Sequence, residues 1–588
     1  MLCRPVLFVA AVLLGLLAAC STQQTDSTPT SASTSPLAPP LAEPRPSEVD
    51  VLSDPARGVT QRQAELQHEE FSKRGALAAK SLRRDAPASA GFAIADVYAP
   101  PPVNERETYA HLDANAVQRA AETPVSTFSI DVDTGSYTNV RRFLNEGRLP
   151  PKDAVRVEEL INYFDYAYAP PKDRSMPFAV HTEIASTPWN PKTRLLQIGI
   201  QGWKPQGELP PSNLVFLVDV SGSMNEPAKL PLVKSSLKLL ARQLHHSDRI
   251  SLVVYAGRTA VVLEPTPGAD VGTISAALDQ LQADGSTNGA GGIQLAYQMA
   301  AKGYIRGGNN RVLLATDGDF NVGLQDFEQL KSLVEDKRRS GVALSTLGFG
   351  TGNYNDRLME QLADAGNGNY AYIDSLKEAQ KALVDQRAAT LMTIARDVKI
   401  QVEFNPAVVA EYRLIGYENR ALRREDFNND AIDAGEIGAG HRVTALYEIA
   451  LAGEGGERVE PLRYGNGKTS RPARGELAFL RLRYKNPKHD EDAASRLIER
   501  LIQRSEIENA AATTPAFRLA AAVAGYGQLL RGGTYTGTFG YAEVAKLARG
   551  ARGEDVNGYA GEFLQLAQLA GSLETQQVRA VAGITGDD

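Results

Sequence analysis

The sequence of 588 residues has only two cysteines, Cys3 and Cys20, and both lie within the first twenty residues. The part of the chain beyond residue 20 therefore cannot form a disulfide within itself. Its seven histidines lack the regular spacing of zinc ligands. We expect the folded part of the chain to be stabilised by hydrophobic cores rather than by disulfides or structural zinc.

Long apolar runs and concentrated positive charge are also missing. Beyond residue 21, charge, Gly or Pro interrupts every long segment, so none offers the roughly 20 apolar residues of a membrane-spanning helix. The 63 Lys and Arg residues are outnumbered by 70 Asp and Glu residues, and no basic stripe with interleaved aromatic residues is visible. The sequence predicts neither a channel formed by this chain alone nor a nucleic-acid partner.

The first 20 residues have the composition of a secretory signal. An apolar run at 6–17 is followed by two alanines and Cys20. The tetrapeptide at 17–20 resembles a bacterial lipobox, which implies that Cys20 is lipid-modified and anchors the chain to a membrane. Ser21 resembles the sorting pattern of outer-membrane lipoproteins, so we expect the chain at the periplasmic face of the outer membrane. The alternative is a cleaved signal with an incidental cysteine.

Length and composition divide the chain into several units. Residues 1–20 are predicted to be the signal peptide. Residues 21–104 are predicted to be a disordered tether, because the Ser-, Thr-, Pro- and Ala-rich start of this segment has too few large apolar side chains to form a core. An N-terminal domain is predicted at 105–172 and a helical C-terminal region at 487–588.

The middle of the chain alternates apolar strands with amphipathic helices, which is typical of a mostly parallel sheet covered on both faces. We assign residues 205–393 to such a doubly wound α/β domain. Its strands are predicted at 213–220, 249–255, 311–316, 343–348 and 370–373.

Segments rich in β-strand patterns flank the α/β domain on both sides. We predict that 173–204 and 394–486 together form one β-sandwich-like domain, into which the α/β domain is inserted. Amphipathic helices are predicted at 493–503 and 517–530, within the C-terminal region.

Polar residues follow two of the predicted parallel strands. Asp219, Ser221 and Ser223 form an Asp-x-Ser-x-Ser motif at the end of the first strand. Thr287 lies in a Gly-rich turn, and Asp317 ends a later strand. Open α/β sheets bind ligands at the carboxyl ends of their strands, so these three pieces can converge at one edge. Taken singly, each has a structural alternative, as a helix cap or a turn.

Together these residues resemble the metal-ion-dependent adhesion site of von Willebrand factor A (VWA) domains. The resemblance implies a Rossmann-like VWA fold and a bound Mg²⁺, or else Mn²⁺ or Ca²⁺. It implies that Ser221 and Ser223 bind the metal through their hydroxyls and Thr287 directly or through water, whereas Asp219 and Asp317 act mostly through bound waters. Such a donor set suits Mg²⁺, which requires oxygen ligands and releases its waters reluctantly. The weakly neutralised metal can then accept an Asp or Glu carboxylate from a partner.

Longer segments extend the resemblance beyond the α/β domain. Residues 129–137, 348–356 and 433–441 resemble segments of the bacterial YfbK-like lipoproteins, which pair a VWA domain with their own N-terminal and C-terminal regions. The match runs from about residue 108 to the C-terminus. It implies an architecture more than a mechanism.

We therefore expect a protein of the bacterial cell envelope that is not an enzyme and that binds an envelope protein through the metal, for adhesion or scaffolding. Two alternatives stay open. Asp131 and Asp133 resemble the nucleophile loop of haloacid-dehalogenase-type phosphatases, which would make the chain a metal-dependent envelope hydrolase, although these aspartates also fit a simple turn. In the second alternative, the metal only stabilises a structural scaffold.

Overall fold

The computed structural model describes residues 107–173, 175–285, 289–318, 324–462, 475–487, 494–508 and 513–584. The predicted signal peptide at 1–20 with Cys20, the predicted tether at 21–104 and the predicted ligand Thr287 lie outside these residues. Within the described ranges, no helix combines the length and the apolar character needed to cross a bilayer.

Strands and helices of the described residues are numbered along the chain. The strands are β1 (Gln118–Arg119), β2 (Val125–Ser129), β3 (Phe178–Thr187), β4 (Asn190–Gly202), β5 (Ser212–Asp219), β6 (Arg249–Tyr255), β7 (Thr259–Pro267), β8 (Asn309–Thr316), β9 (Ala343–Gly348), β10 (Tyr370–Tyr372), β11 (Thr393–Phe404), β12 (Val409–Ile415), β13 (Ile437–Gly438), β14 (Arg442–Leu451), β15 (Glu476–Lys485) and β16 (Arg496–Gln503). The α-helices are α1 (Gly135–Asn145), α2 (Val157–Asn162), α3 (Leu230–Ala241), α4 (Val271–Asp279), α5 (Gly289–Lys302), α6 (Leu324–Arg338), α7 (Asp356–Ala365), α8 (Leu376–Gln380), α9 (Arg387–Leu391), α10 (Ser505–Glu508), α11 (Pro515–Leu530), α12 (Tyr541–Ala551) and α13 (Tyr559–Ile584).

A six-stranded sheet in the order β10-β9-β8-β5-β6-β7 forms the centre of the α/β domain. All neighbouring strands are parallel except β6 and β7. Helices cover both faces of the sheet, and a separate hydrophobic core lies between the sheet and the helices on each side. The central strand β5 is buried at every position, which explains its continuous apolar run. The predicted doubly wound fold is confirmed.

The edge strand β7 is not predicted by the sequence pattern. It contains Pro265 and Pro267, which break the pattern of a strand. Proline is tolerated there because β7 lies at the edge of the sheet, where one side of the backbone has no strand neighbour.

Two antiparallel sheets pack on each other beside the α/β domain. One has the strand order β1-β12-β14-β4-β3, and the other has the order β13-β11-β15-β16 with β2 also paired to β11. Their inner faces share one core. Strand β4 precedes the α/β domain and β14 follows it, yet the two pair along their length, with Ile200 opposite Val443. This pairing confirms the hypothesis that the α/β domain is inserted into a β-sandwich.

The N-terminal segment at 105–172 shares its cores with later parts of the chain. Strand β1 extends one antiparallel sheet and β2 the other. Helices α1 and α2 contribute to a fourth core together with α11, α12 and α13. Segments from both ends of the described chain are therefore packed against each other.

One predicted helix is wrong. The segment predicted as helical at 493–503 contains strand β16, which pairs with β15 so that Leu501 lies opposite Phe479. Long side chains that alternate along the segment satisfy helical spacing and strand spacing equally, and pairing with β15 decided between them. The second prediction, a helix at 517–530, is confirmed by α11.

Candidate metal centre

Two neighbouring parallel strands bring the predicted acidic residues to the same edge of the central sheet. Strand β5 ends at Asp219, and β8 ends one residue before Asp317. The strands are paired in register, with Val218 opposite Ala315. Both acidic residues are fully buried. The two acidic residues that the sequence placed at strand ends therefore lie at the same edge of the sheet.

The loop after β5 gathers the two serines around Asp219. One carboxylate oxygen of Asp219 accepts the backbone N–H of Ser221 at 2.9 Å. The hydroxyl oxygens of Ser221 and Ser223 lie 3.1 Å apart. The second carboxylate oxygen of Asp219 accepts hydrogen bonds from the hydroxyls of Thr316 at 2.8 Å and Tyr255 at 3.2 Å. The carboxylate is thus held in one orientation beside the two serine hydroxyls.

The loop that leads to Thr287 also reaches this edge. The N–H of Asp284 donates to the carbonyl of Val220 at 2.8 Å, and the N–H of Gly222 donates to the carbonyl of Gly285 at 3.0 Å. Gly285 has a φ of +81°, which favours glycine. The backbone two residues before Thr287 therefore lies directly against the serine loop.

Asp317 contacts two residues that the sequence analysis did not identify. Its Oδ2 accepts hydrogen bonds from Lys229 Nζ at 3.0 Å and from Asn353 Nδ2 at 3.1 Å. Lys229 Nζ also lies 3.0 Å from Asn353 Oδ1. Asn353 belongs to the segment 348–356 that carried the family resemblance, so this signal was present without a role. Nothing in the sequence around Lys229 marks it as part of a site.

Burial dominates the electrostatics of the edge. Burial, together with the nearby negative charge of Asp317, raises the pKa of the Asp219 carboxyl to about 6. The hydrogen bonds from Ser221 act in the opposite direction by stabilising the carboxylate. Two acidic groups are thus held close together in a poorly solvated place, which favours a cation nearby.

The donor groups at this edge suit a hard divalent cation. In the described part of the chain, no group of three or more His, Cys, Asp or Glu side chains is arranged to hold a metal ion. A metal here would need hydroxyl ligands, which Ser221 and Ser223 supply. Neutral oxygens with carboxylates nearby fit Mg²⁺, which keeps several of its waters.

Asp131 and Asp133 are the residues of the phosphatase alternative. They lie outside the proposed metal site and form hydrogen bonds and ion pairs within the protein. The N–H of Asp133 donates to Asp131 Oδ1 at 3.0 Å, and Asp133 Oδ1 accepts the N–H of Tyr370 at 2.9 Å. Arg420 lies 3.3 Å from Asp131 Oδ2 and 3.6 Å from Asp133 Oδ2. Both aspartates are buried. These contacts agree with the interpretation that the pair shapes a turn.

The doubly wound sheet, with hydroxyl and carboxylate groups at its carboxyl edge, agrees with the class of VWA-domain proteins, which the sequence comparison shows. The profile of the von Willebrand factor type A domain matches residues 213–386. A profile described as von Willebrand factor matches residues 103–197, and one described as the C-terminal part of the uncharacterized protein YfbK matches residues 389–573.

The chain belongs to the YfbK family. It is 49% identical over 471 residues to the uncharacterized protein YfbK of Escherichia coli (strain K12), an alignment that covers 79% of this chain and 80% of that relative. It is also 32% identical over 170 residues to an uncharacterized protein of Synechocystis sp., which covers 29% of this chain and 39% of the relative.

Among solved structures, the chain is similar to a von Willebrand factor type A protein from Catenulispora acidiphila. The sequence identity is 15% and the TM-score is 0.36, with 68% of this chain and 91% of that chain covered.

Proposed function

We propose that the VWA domain binds a partner protein through a divalent cation. The observation that carries this proposal is the pair of serine hydroxyls, 3.1 Å apart, beside two buried carboxylates at the carboxyl edge of the sheet. The residues that would hold the cation, directly or through water, are Asp219, Ser221, Ser223, Thr287 and Asp317.

The proposed chemistry is binding rather than turnover. Ser221 and Ser223 would bind the ion through neutral hydroxyls, whereas Asp219 and Asp317 would hold its waters. Mg²⁺ fits this donor set, and Mn²⁺ and Ca²⁺ are alternatives. When bound, the ion supplies an electrophilic position that an Asp or Glu carboxylate of a partner can occupy. The chain's own part is to position these oxygens on the rigid ends of two strands.

The cellular setting follows from the predicted lipobox. We propose that Cys20 is lipid-modified and that the chain is held at the periplasmic face of the outer membrane. Two acyl signals suffice for stable anchoring. The partner would then be another protein of the cell envelope that presents an acidic side chain.

Metal binding can be tested by thermal unfolding with and without Mg²⁺. A ligand present at a concentration of about a hundred times its dissociation constant stabilises the folded state by about 2.7 kcal/mol. We expect Ser221→Ala and Ser223→Ala to abolish the Mg²⁺-induced rise in Tm while the metal-free Tm stays near that of the wild type. The matched control is Ser235→Ala, because this serine on α3 donates only to the carbonyl of Pro231. A rise in Tm with Mg²⁺ that is as large in both serine variants as in the wild type would contradict the proposed site.

Partner binding is tested separately by pull-down from solubilised envelope, once with Mg²⁺ and once with a chelator. We expect an envelope protein that is captured only with Mg²⁺ and is lost with Ser221→Ala. Variants that lose the Mg²⁺ shift in Tm but retain every captured protein would favour the scaffold alternative.

A further inference from the structure

A lysine is built into the proposed metal site. Lys229 lies directly before α3, and its side chain is only 3% exposed. Its ammonium lies 3.0 Å from Oδ2 of Asp317, one of the proposed metal ligands. The site therefore contains a positive charge of its own, on the same carboxylate that a divalent ion would use.

The position of this lysine is fixed by its surroundings. A Cβ atom on Gly350 would lie 2.4 Å from Lys229 Cγ and Cε, so the lysine stem packs against the bare backbone of Gly350. Gly350 has a φ of +81°, which also favours glycine. At the end of the stem, Asn353 Oδ1 accepts from the ammonium. Both residues belong to the 348–356 segment, which thus serves to hold Lys229.

Because Asn353 also contacts Asp317, the charge of Lys229 can be tested separately from its effect on the orientation of this carboxylate. The Asn353 amide donates to the same oxygen of Asp317 at 3.1 Å. If the ammonium were removed, this amide would still orient the carboxylate. Removal of Lys229 should therefore change mainly the charge of the site.

We propose that Lys229 acts as an internal cation that weakens divalent-metal binding and stabilises the metal-free domain. The inference rests on the proposed function. An ammonium and a divalent ion that share one buried carboxylate repel each other, and water screens this repulsion little. In the metal-free domain, the same ammonium neutralises a carboxylate that would otherwise be buried with too little compensation. The lysine thus raises the ion concentration that is needed to occupy the site.

The test measures Mg²⁺ binding to the full chain by titration calorimetry, together with the metal-free Tm. We expect Lys229→Met to bind Mg²⁺ about tenfold more tightly than the wild type, or tighter still, and to have a lower metal-free Tm. Lys229→Arg keeps the charge and should keep the wild-type affinity. The matched control is Lys238→Met on the same helix, because Lys238 pairs with the exposed Asp279 away from the site. It should leave Mg²⁺ affinity unchanged.

Lys229→Gln is a second neutral variant, used in case Lys229→Met does not fold, because glutamine keeps a hydrogen-bond donor. It should also bind Mg²⁺ more tightly than the wild type. If both neutral variants bind Mg²⁺ more weakly than the wild type, Lys229 positions Asp317 and the inference is wrong. If the wild type itself shows no saturable Mg²⁺ binding, both the inference and the proposed function fail. A wild type that binds while the neutral variants are unchanged overturns the inference alone.

Discussion

The pKa of a buried charged group depends strongly on its surroundings, and Lys381, outside the proposed metal site, is an example. Its side chain is buried, its ammonium donates to the carbonyl of Tyr163 at 3.0 Å, and it lies 2.7 Å from the centroid of the Tyr163 ring. Burial lowers the pKa of this ammonium to about 7. The negative charge of Glu378 only partly opposes this effect.

This residue should make stability depend on pH. Between pH 10.5 and 7, Lys381 of the unfolded chain takes up a proton that the folded chain does not bind, so its contribution to stability falls as pH decreases. Lys381→Met removes this dependence. The unfolding free energy of the variant minus that of the wild type should therefore rise by a few kcal/mol as the pH falls from 10 to 7. One pKa unit corresponds to about 1.4 kcal/mol.

Urea unfolding of both proteins at a series of pH values measures this difference. The charged groups that act most strongly on the pKa of Lys381 are Glu378, Arg141, Arg442 and Glu562. They are present in both proteins, so their titration cancels to first order. A difference between the two proteins that stays constant from pH 10 to pH 7 would show that Lys381 remains charged in the folded state.

At the scale of elements, the segment 433–441 joins the α/β domain to the β-sandwich. Strand β13 within it pairs with the start of β11, and Ala439 donates to the carbonyl of Met392 at 2.8 Å. A Cβ atom on Gly438 would lie 1.7 Å from the carbonyl oxygen of Ala389 in α9. The close approach of α9 to β13 is possible only because residue 438 is glycine.

Gly438→Ala should therefore destabilise the protein by about 2 kcal/mol or more, because the backbone of α9 or β13 must move. The matched control is Gly272→Ala in α4, where an added Cβ would have no atom within 4 Å. That substitution should leave stability unchanged or raise it by up to about 1 kcal/mol. Chemical unfolding measures both. Equal stability of the two variants would argue against the tight packing of α9 on β13.

At the scale of the whole described molecule, three distant parts of the chain meet at Arg141 in α1. Its guanidinium lies 2.6 Å from Asp374 and 2.9 Å from Glu378, which belong to the end of the α/β domain. It also lies 3.1 Å from Glu562 in α13. The arginine side chain is only 3% exposed. The N-terminal segment, the α/β domain and the C-terminal helices are therefore joined through one buried charge cluster.

Arg141→Met should destabilise the whole molecule by about 3 kcal/mol, because it leaves buried carboxylates without their cation. Arg339→Met is the control, since Arg339 and its partner Asp336 are 65% and 72% exposed, and such pairs contribute little. We expect calorimetry to show a lower Tm for Arg141→Met only. If the α/β domain alone shifted while the rest kept its Tm, the three parts would be energetically independent.

Residues with a local signature were predictable, whereas their tertiary partners were not. The Asp-x-Ser-x-Ser motif and Asp317 could be located because strand ends and small polar residues follow a pattern along the chain. Lys229 and Asn353 lie 88 and 36 residues from Asp317. Nothing in the sequence around Lys229 distinguishes it from a lysine before any other helix, and the family resemblance of 348–356 marks Asn353 without giving it a role.

The sequence by itself determined the parallel sheet and the edge at which its polar residues gather, because alternating apolar strands and amphipathic helices allow few other arrangements. It also indicated that the strands before and after this domain belong together. The tertiary structure decided that β16 is a strand, that β7 completes the sheet and that Lys229 pairs with Asp317. These outcomes depend on hydrogen bonds and charges between segments far apart in sequence, which no local pattern records.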